Sequence, residues 1–257
     1  KNGMHNIETN STLVKLSDEI DIKKDKKDKI LFTGKFKDQI NLKKNTVKDT
    51  LQLLKKNKVI KGFYKITVKK NIPVYAGLGG GTSNSYSIAK HFLNNRLNEK
   101  MIRIFEEKIG SDFRLFLNKN SYQKKLKKVI KTKNSINSYI LIIFPYVNCE
   151  TKKIYKMVNN FSLSSGNFYT QKINRNKFID MIKKDRNDLQ ELVEKKYPKI
   201  SQIILSIFDQ VGCIFSRMTG SGSACYGVFK SKKTAQFAIN KLKRKYPKYW
   251  CVVTKTI

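Results

Sequence analysis

Acidic side chains are scarce in this chain: its 257 residues hold 19 Asp and Glu against 54 Lys and Arg, a formal net charge of +35. Metal-ligand and disulfide chemistry is poorly provided for as well. The four cysteines, Cys149, Cys213, Cys225 and Cys251, contain no C-x-x-C spacing, and His5 and His91 are the only histidines. Neither a zinc site nor a disulfide framework is indicated, and the cysteines read as reduced core residues of a cytoplasmic protein. No apolar run approaches the roughly 18 residues that a membrane span needs, and the polar start Lys1-Asn-Gly is no signal peptide.

The surplus of basic residues at first suggests nucleic acid, because clustered Lys and Arg neutralise backbone phosphates. Here the lysines are spread along nearly the whole length, in 23–29, 43–44, 55–56, 124–133 and 241–245, with no nucleic-acid module around them. We read a compositional bias toward Lys, Ile and Asn over a solvated surface, which argues against a nucleic-acid partner. A positive field of this kind would still draw in anionic nucleotides.

What is present points to a folded protein. Hydrophobic residues make up 40%, with fifteen Phe and twelve Tyr, and the length allows one large or two modest domains. Alternation predicts strands at 12–16, 18–22, 30–33, 64–68 and 250–254, and 139–147 reads as a buried strand. Helical spacing predicts helices at 46–56, 85–97, 98–110, 187–196, 197–208 and 234–245, the last burying Phe237, Ala238 and Leu242. The polar stretch 159–176 reads as a flexible loop.

Three stretches carry chemistry. The first puts Gly77, Gly79, Gly80 and Gly81 into five positions between a strand and a helix. Without Cβ atoms these residues take positive φ and let several N–H groups approach one anion, at the positive end of the helix dipole. A plain strand-to-helix turn would need only one or two glycines. The Walker A pattern fails because no lysine lies between Gly77 and Lys90, and G-x-G-x-x-G fails at Thr82 and, from Gly220, at Cys225. The second is Asp112, between a helix end at Gly110 and an apolar strand at 113–117, where a cap or turn role competes with a catalytic one. The third, 217–229, is another glycine-and-hydroxyl loop entering a strand, either a tight hairpin or a phosphate holder. Asn187-Asp188-Leu189 opens a helix, and Asp188 reads as its cap.

Taken together, these stretches resemble the GHMP kinase family. Pro73-Val-Tyr-Ala-Gly-Leu-Gly-Gly-Gly-Thr-Ser83 matches its P-x-x-x-G-L-G-S/G-S/G-S/T-S loop without a gap, 110–117 resembles G-A/S-D-V-P-x-F, and 218–223 resembles M-S/T-G-S-G-S/P. The resemblance implies a two-lobed α+β architecture: a ribosomal protein S5 domain 2-like N-terminal lobe over 1–137 and a ferredoxin-like C-terminal lobe over 138–257. It implies ATP with Mg²⁺, the nucleotide held by Pro73, Val74, Tyr75, Ala76, Gly77, Leu78, Gly79, Gly80, Gly81, Thr82 and Ser83. Asp112 would take the proton from the substrate hydroxyl. His5, Gly220, Ser221 and Gly222 would contact the substrate, and no protein metal ligand is assigned.

The triple glycine and Gly3-x-His5 resemble the branch that acts on a cytidine diphosphate conjugate in the non-mevalonate isoprenoid pathway. Another GHMP small-molecule kinase, of homoserine or mevalonate type, and a catalytically weak paralogue that binds polyanions stay open. So do monomer and homodimer. Met4 stands where the family has a base-stacking tyrosine, Phe113-Arg114 replaces Val-Pro, and Asn84 replaces an aspartate, removing a negative charge beside the phosphates. The family's opening Lys-x-Asn strand lies about twenty residues before Gly-Tyr-His, so the resemblance leads us to expect a chain shortened at its N-terminus.

Overall fold

The computed structural model describes residues 8–125, 128–158, 162 and 171–257. Its ten strands among these residues are β1 (Thr9–Thr12), β2 (Glu19–Asp25), β3 (Lys29–Thr33), β4 (Phe63–Lys69), β5 (Asn120–Lys125), β6 (Lys128–Lys131), β7 (Tyr139–Phe144), β8 (Cys213–Met218), β9 (Cys225–Phe229) and β10 (Trp250–Lys255). The α-helices are α1 (Thr46–Lys56), α2 (Gly80–Phe92), α3 (Glu99–Ile109), α4 (Thr151–Lys156), α5 (Arg175–Lys184), α6 (Gln190–Lys196), α7 (Lys199–Phe208) and α8 (Lys232–Lys245). The chain divides into two compact units. One takes the described residues up to Lys15, then Tyr75–Leu78 and Lys119–Ile257; the other takes Leu16–Val74 and Gly79–Asn118.

In the Leu16–Asn118 unit the sheet runs β2-β4-β3, with β2 antiparallel and β3 parallel to β4. The parallel pair requires a crossover, which α1 supplies. Asn45 starts that helix by accepting the Lys48 N–H, and Val47, Leu51 and Leu54 turn inward at 3.6-residue spacing. Similarly, Asn98 caps α3 through the Met101 N–H, and Gly110 stops it. Ile66, Ile88, Phe105 and Phe113 are fully buried in the shared core. The segment expected as a strand at 113–117 is instead a 3-10 helix, Ser111–Leu117. Gly110 at φ 135 turns the chain, and the Phe113 ring stacks on Phe105 at 4.8 Å. A short apolar run does not distinguish a strand from such a turn.

The other unit carries an antiparallel sheet β1-β5-β6 and a four-stranded antiparallel sheet β10-β7-β9-β8. Counted in chain order, the latter reads 4-1-3-2, with α7 before β8 and α8 before β10, the split βαβ arrangement of ferredoxin-like domains. β7 is central and buried at five of its six residues, which explains its continuous apolar sequence. Ala235, Ala238, Ile239 and Leu242 bury one face of α8. Phe237, expected inside, is 69% exposed because it falls outside that i, i+3, i+4, i+7 stripe.

Candidate active site

The glycine loop is where the two units share chain: Tyr75–Leu78 belongs to one and Gly79 onward to the other. In the Leu16–Asn118 unit, α2 begins at Gly80, five residues before the helix expected from periodicity, with Gly79 as N-cap at φ 67, ψ 17. A glycine cap has no side chain to accept the first amides of the helix, so Gly80, Gly81 and Thr82 present unbonded N–H groups at the positive helix end. Sterics fix the glycines themselves. A Cβ on Gly79 would come within 3.0 Å of the Phe116 ring, and one on Gly80 within 3.0 Å of Ile72. Gly81 accepts a 2.9 Å hydrogen bond from Thr46 Oγ1 at its carbonyl. Pro73 is buried, and Val74 N–H donates to Gln39 Oε1 at 2.9 Å. Thr82 and Ser83 lie half-buried on the first turn.

Beneath this turn sits a charge pair that sequence reading missed. The ammonium of Lys70, 2% exposed, donates to Asp18, whose side chain is fully buried. Asp18 also accepts the backbone N–H groups of Asn71 (2.8 Å) and Ile72 (2.9 Å) at one oxygen and the Asn84 amide (2.8 Å) at the other. One carboxylate thus ties the strand entering the loop to the helix leaving it. Asn84 therefore does not simply delete a charge beside the phosphates: its amide faces inward, toward a carboxylate that an aspartate there would repel. No local pattern could reveal this, since Asp18 and Lys70 are 52 residues apart.

Asp112 follows Gly110 on the 3-10 helix. Desolvation by its surroundings raises its carboxyl above the ordinary aspartate range, although the side chain keeps access to solvent. Two residues on, Arg114 anchors this segment to α3. Its Nε and Nη2 reach the two oxygens of Glu106 at 2.7 and 2.8 Å, and Nη1 and Nη2 reach Glu99 at 3.0 and 2.7 Å. The Arg114 fork holds the Glu99 carboxyl down to about 2. The same 3-10 helix carries Phe116, the ring packed at Gly79, so the acid and the open amides are built on touching elements.

In the other unit, Ala76 and Gly77 pack on the second glycine loop. Gly77, at φ 71, has no room for a side chain: its Cβ would stand 2.3 Å from the Thr219 carbonyl. Thr219 Oγ1 donates to Gly77 O at 3.1 Å, and Ala224 N–H donates to Ala76 O at 3.1 Å. Gly220 and Gly222 take φ 53 and 83, and the Ser221 hydroxyl lies 2.9 Å from that of Thr151. Asn187 braces the turn by donating to the carbonyls of Met218 (3.0 Å) and Gly220 (2.9 Å). The expected cap role of Asp188 is not what the structure shows. Leu189 is the N-cap of α6, Asn187 Oδ1 takes the Leu189 N–H, and Asp188 accepts from Ser162. His91 is exposed on α2 with its ring edge against Phe92. His5 and Met4 lie outside the described residues, as does 159–170 apart from Ser162.

Family models match both parts of the chain: the GHMP kinases N terminal domain over residues 45–120 and the GHMP kinases C terminal over 170–248. A 4-diphosphocytidyl-2-C-methyl-D-erythritol kinase of Pelagibacter ubique is 34% identical over 265 residues, spanning 100% of this chain and 92% of that protein. The chain belongs to the GHMP kinase family. An enzyme of the same name from Anaplasma phagocytophilum is 30% identical over 200 residues, 75% of this chain and 66% of that protein. Among solved structures, a 4-(cytidine 5'-diphospho)-2C-methyl-D-erythritol kinase superposes with a TM-score of 0.76 at 18% identity, covering 99% of this chain and 92% of that one. A homoserine kinase from Cytophaga hutchinsonii gives 0.67 at 18% identity, over 93% and 85%. This GHMP kinase is thus an ATP-dependent small-molecule kinase with the two-domain α+β fold of its family. No described helix is long and apolar enough to cross a membrane.

Proposed function

We propose that this GHMP kinase transfers the γ-phosphoryl group of ATP to a hydroxyl of 4-diphosphocytidyl-2-C-methyl-D-erythritol, a step of the non-mevalonate route to isoprenoid precursors. The observation that carries the reading is the uncapped turn at Gly79, with bare amides over α2 and the Asp112 segment packed against it through Phe116. The amides of Gly80, Gly81 and Thr82 hold phosphate oxygens, and Lys70 and Asp18 keep the turn rigid from below. Asp112, its carboxyl raised, orients the substrate hydroxyl and accepts its proton as the oxygen attacks phosphorus. Positioning and electrostatic stabilisation supply most of the acceleration in such transfers. The loop of Gly220, Ser221 and Gly222 holds the diphosphate of the conjugate with its free amides and hydroxyls.

Magnesium fits this donor set as a companion of the nucleotide. It prefers hard oxygens, takes several from phosphate and water, and asks few of the protein. Thr82 and Ser83 offer hydroxyl oxygens on the first turn of α2, and no group of three His, Cys, Asp or Glu converges among the described residues. When bound, the ion neutralises charge that builds on the phosphates during transfer.

The name shared by the relatives from Pelagibacter and Anaplasma, over most of this chain's length, favours the cytidine diphosphate conjugate over homoserine or mevalonate. The deciding assay is ATP-dependent phosphorylation of that conjugate, homoserine and mevalonate in parallel, by wild type and Asp112→Asn. The proposal expects turnover of the conjugate alone, and a kcat lowered by about 10²- to 10⁴-fold in the variant. Preference for either of the other alcohols would replace the substrate, and full activity of Asp112→Asn would remove the base.

A further inference from the structure

The last glycine of the run 79–81 has a neighbour that accounts for it. A Cβ on Gly81 would stand 3.2 Å from Thr46 Oγ1 and 3.5 Å from Thr46 Cγ2, closer to the oxygen than side chains ordinarily pack. Glycine there lets the first residue of α1 reach the first turn of α2, and the Thr46 hydroxyl donates to the Gly81 carbonyl at 2.9 Å. One turn further along both helices the contact repeats. Thr50 and Ser85, both fully buried, bring their hydroxyl oxygens to 2.5 Å. Thr50 gives its one proton to the Thr46 carbonyl at 2.6 Å, so Ser85 donates to Thr50.

The two rungs differ in what they leave unexplained. Thr50 and Ser85 satisfy each other between the helices, as buried hydroxyls must, and call for no ligand. Thr46 is only half-buried, and the cap of its own helix is already supplied by Asn45, which accepts the Lys48 N–H at 3.0 Å. Its hydroxyl goes instead to a carbonyl of the neighbouring helix. Gly81 O and the Thr82 N–H are the two ends of one planar trans peptide and point in opposite directions. A hydroxyl that fixes the carbonyl therefore fixes the direction of the amide, and by polarising the peptide it strengthens that amide as a donor. Glycine has the freest backbone of any residue, so a peptide that starts at Gly81 gains from an anchor outside its own helix.

We propose that Thr46 is a positioning residue for phosphoryl transfer: through the Gly81–Thr82 peptide, its hydroxyl aims the Thr82 amide at a phosphate oxygen of ATP. The inference rests on the reading of the α2 turn as the phosphate site and adds to it a residue of another helix, outside the glycine run. Thr46 acts on the carbonyl end of the peptide and the phosphate on the amide end, so the two never need to touch. Thr46, Thr50, Gly81, Thr82 and Ser85 all belong to the Leu16–Asn118 unit.

The full chain is compared with Thr46→Val, which keeps the shape and loses the hydroxyl, with Thr46→Ser, which keeps the hydroxyl, with Gly81→Ala, and with Gly81→Ala combined with Thr46→Val. Direct binding is measured for ATP, inorganic tripolyphosphate and adenosine, together with KM and kcat for phosphorylation of the cytidine diphosphate conjugate. Thr46→Val weakens ATP and tripolyphosphate alike by about 5- to 10-fold, the worth of one hydrogen bond, and leaves adenosine within about twofold. The loss appears in KM for ATP more than in kcat, and Thr46→Ser stays within about twofold of wild type. Gly81→Ala, whose Cβ displaces Thr46, weakens tripolyphosphate too, and adding Thr46→Val to it costs less than about twofold more, because the contact is already gone. Thr46→Ala takes the place of Thr46→Val should the latter not fold. Unchanged tripolyphosphate affinity in the variant without the hydroxyl overturns the proposal. So does a Thr46→Ser loss equal to it, full additivity in the double variant, or an adenosine loss as large as that of tripolyphosphate, which would make Thr46 a prop of the fold. If wild type binds ATP but phosphorylates none of the alcohols, the substrate falls while the binding series still decides the role of Thr46. If wild type binds no tripolyphosphate, the phosphate site falls and this role with it.

Discussion

In the proposed mechanism Asp112 trades stability for chemistry. Desolvation disfavours its charged form, so its folded pKa lies above its unfolded value. Ionised Asp112 then destabilises the fold at neutral pH, and Asp112→Asn should raise the melting temperature there even as it lowers kcat. The gain shrinks as pH falls, because below both pKa values the wild-type side chain is neutral as well. Melting curves of the two proteins between pH 4 and 8 check this, and a variant less stable at every pH would contradict it. As the proposed base, Asp112 also predicts that kcat/KM falls on the acid side at a pH above the usual aspartate range, since a base must be ionised to act. Asn84 makes the opposite case. Asn84→Asp would set a second carboxylate 2.8 Å from Asp18, inside a buried pair with Lys70. The expected cost is on the order of 2–4 kcal/mol, read as a lower denaturant midpoint than wild type at pH 8.

At the scale of elements, Arg114 ties the 3-10 helix carrying Asp112 to α3 through Glu106 and Glu99. Arg114 is 14% exposed and Glu106 only 7%, so Arg114→Ala strands a buried carboxylate. The expected loss is about 3–5 kcal/mol, with kcat falling because the acid loses its platform. Arg114→Lys keeps the charge but not the fork, and should recover only part of either. Glu99→Gln is the control. Its carboxyl is held down to about 2, so its contribution is present above its ordinary value near 4.5 and disappears as pH falls toward 2. Since the group is 54% exposed, water and salt screen that contribution to well under the Arg114 effect. Urea midpoints of the three variants at pH 7 test the order, and a Glu99→Gln loss equal to that of Arg114→Ala would contradict it.

For the molecule as a whole, 54 basic against 19 acidic residues means self-repulsion that no described ion pair offsets in number. The Debye length shrinks from about 30 Å at 0.01 M salt to about 10 Å at 0.1 M. Melting temperature should therefore rise by several degrees over that interval, while the association rate of ATP falls. A melting temperature indifferent to salt would mean the charges are already compensated. Tight binding of RNA, steeply weakened by salt, would revive the polyanion alternative.

Much of the fold could be read from neighbouring residues alone. The ends of α1 and α3 follow from Asn45, Asn98 and Gly110, because a cap acts within one helical turn. β4 and β10 appear as alternation, and the glycines from Gly77 to Gly81 announce an open backbone turn into α2, because backbone freedom belongs to the residue itself. Other features were decided only when distant segments met. The run 113–117 could not choose between strand and 3-10 helix until Phe113 found Phe105. The Asp18–Lys70 pair joins residues 52 apart. Local sequence sets what each stretch of backbone prefers; the partner of a buried charge, and the strain a segment must bear, depend on which surfaces the chain topology presses together.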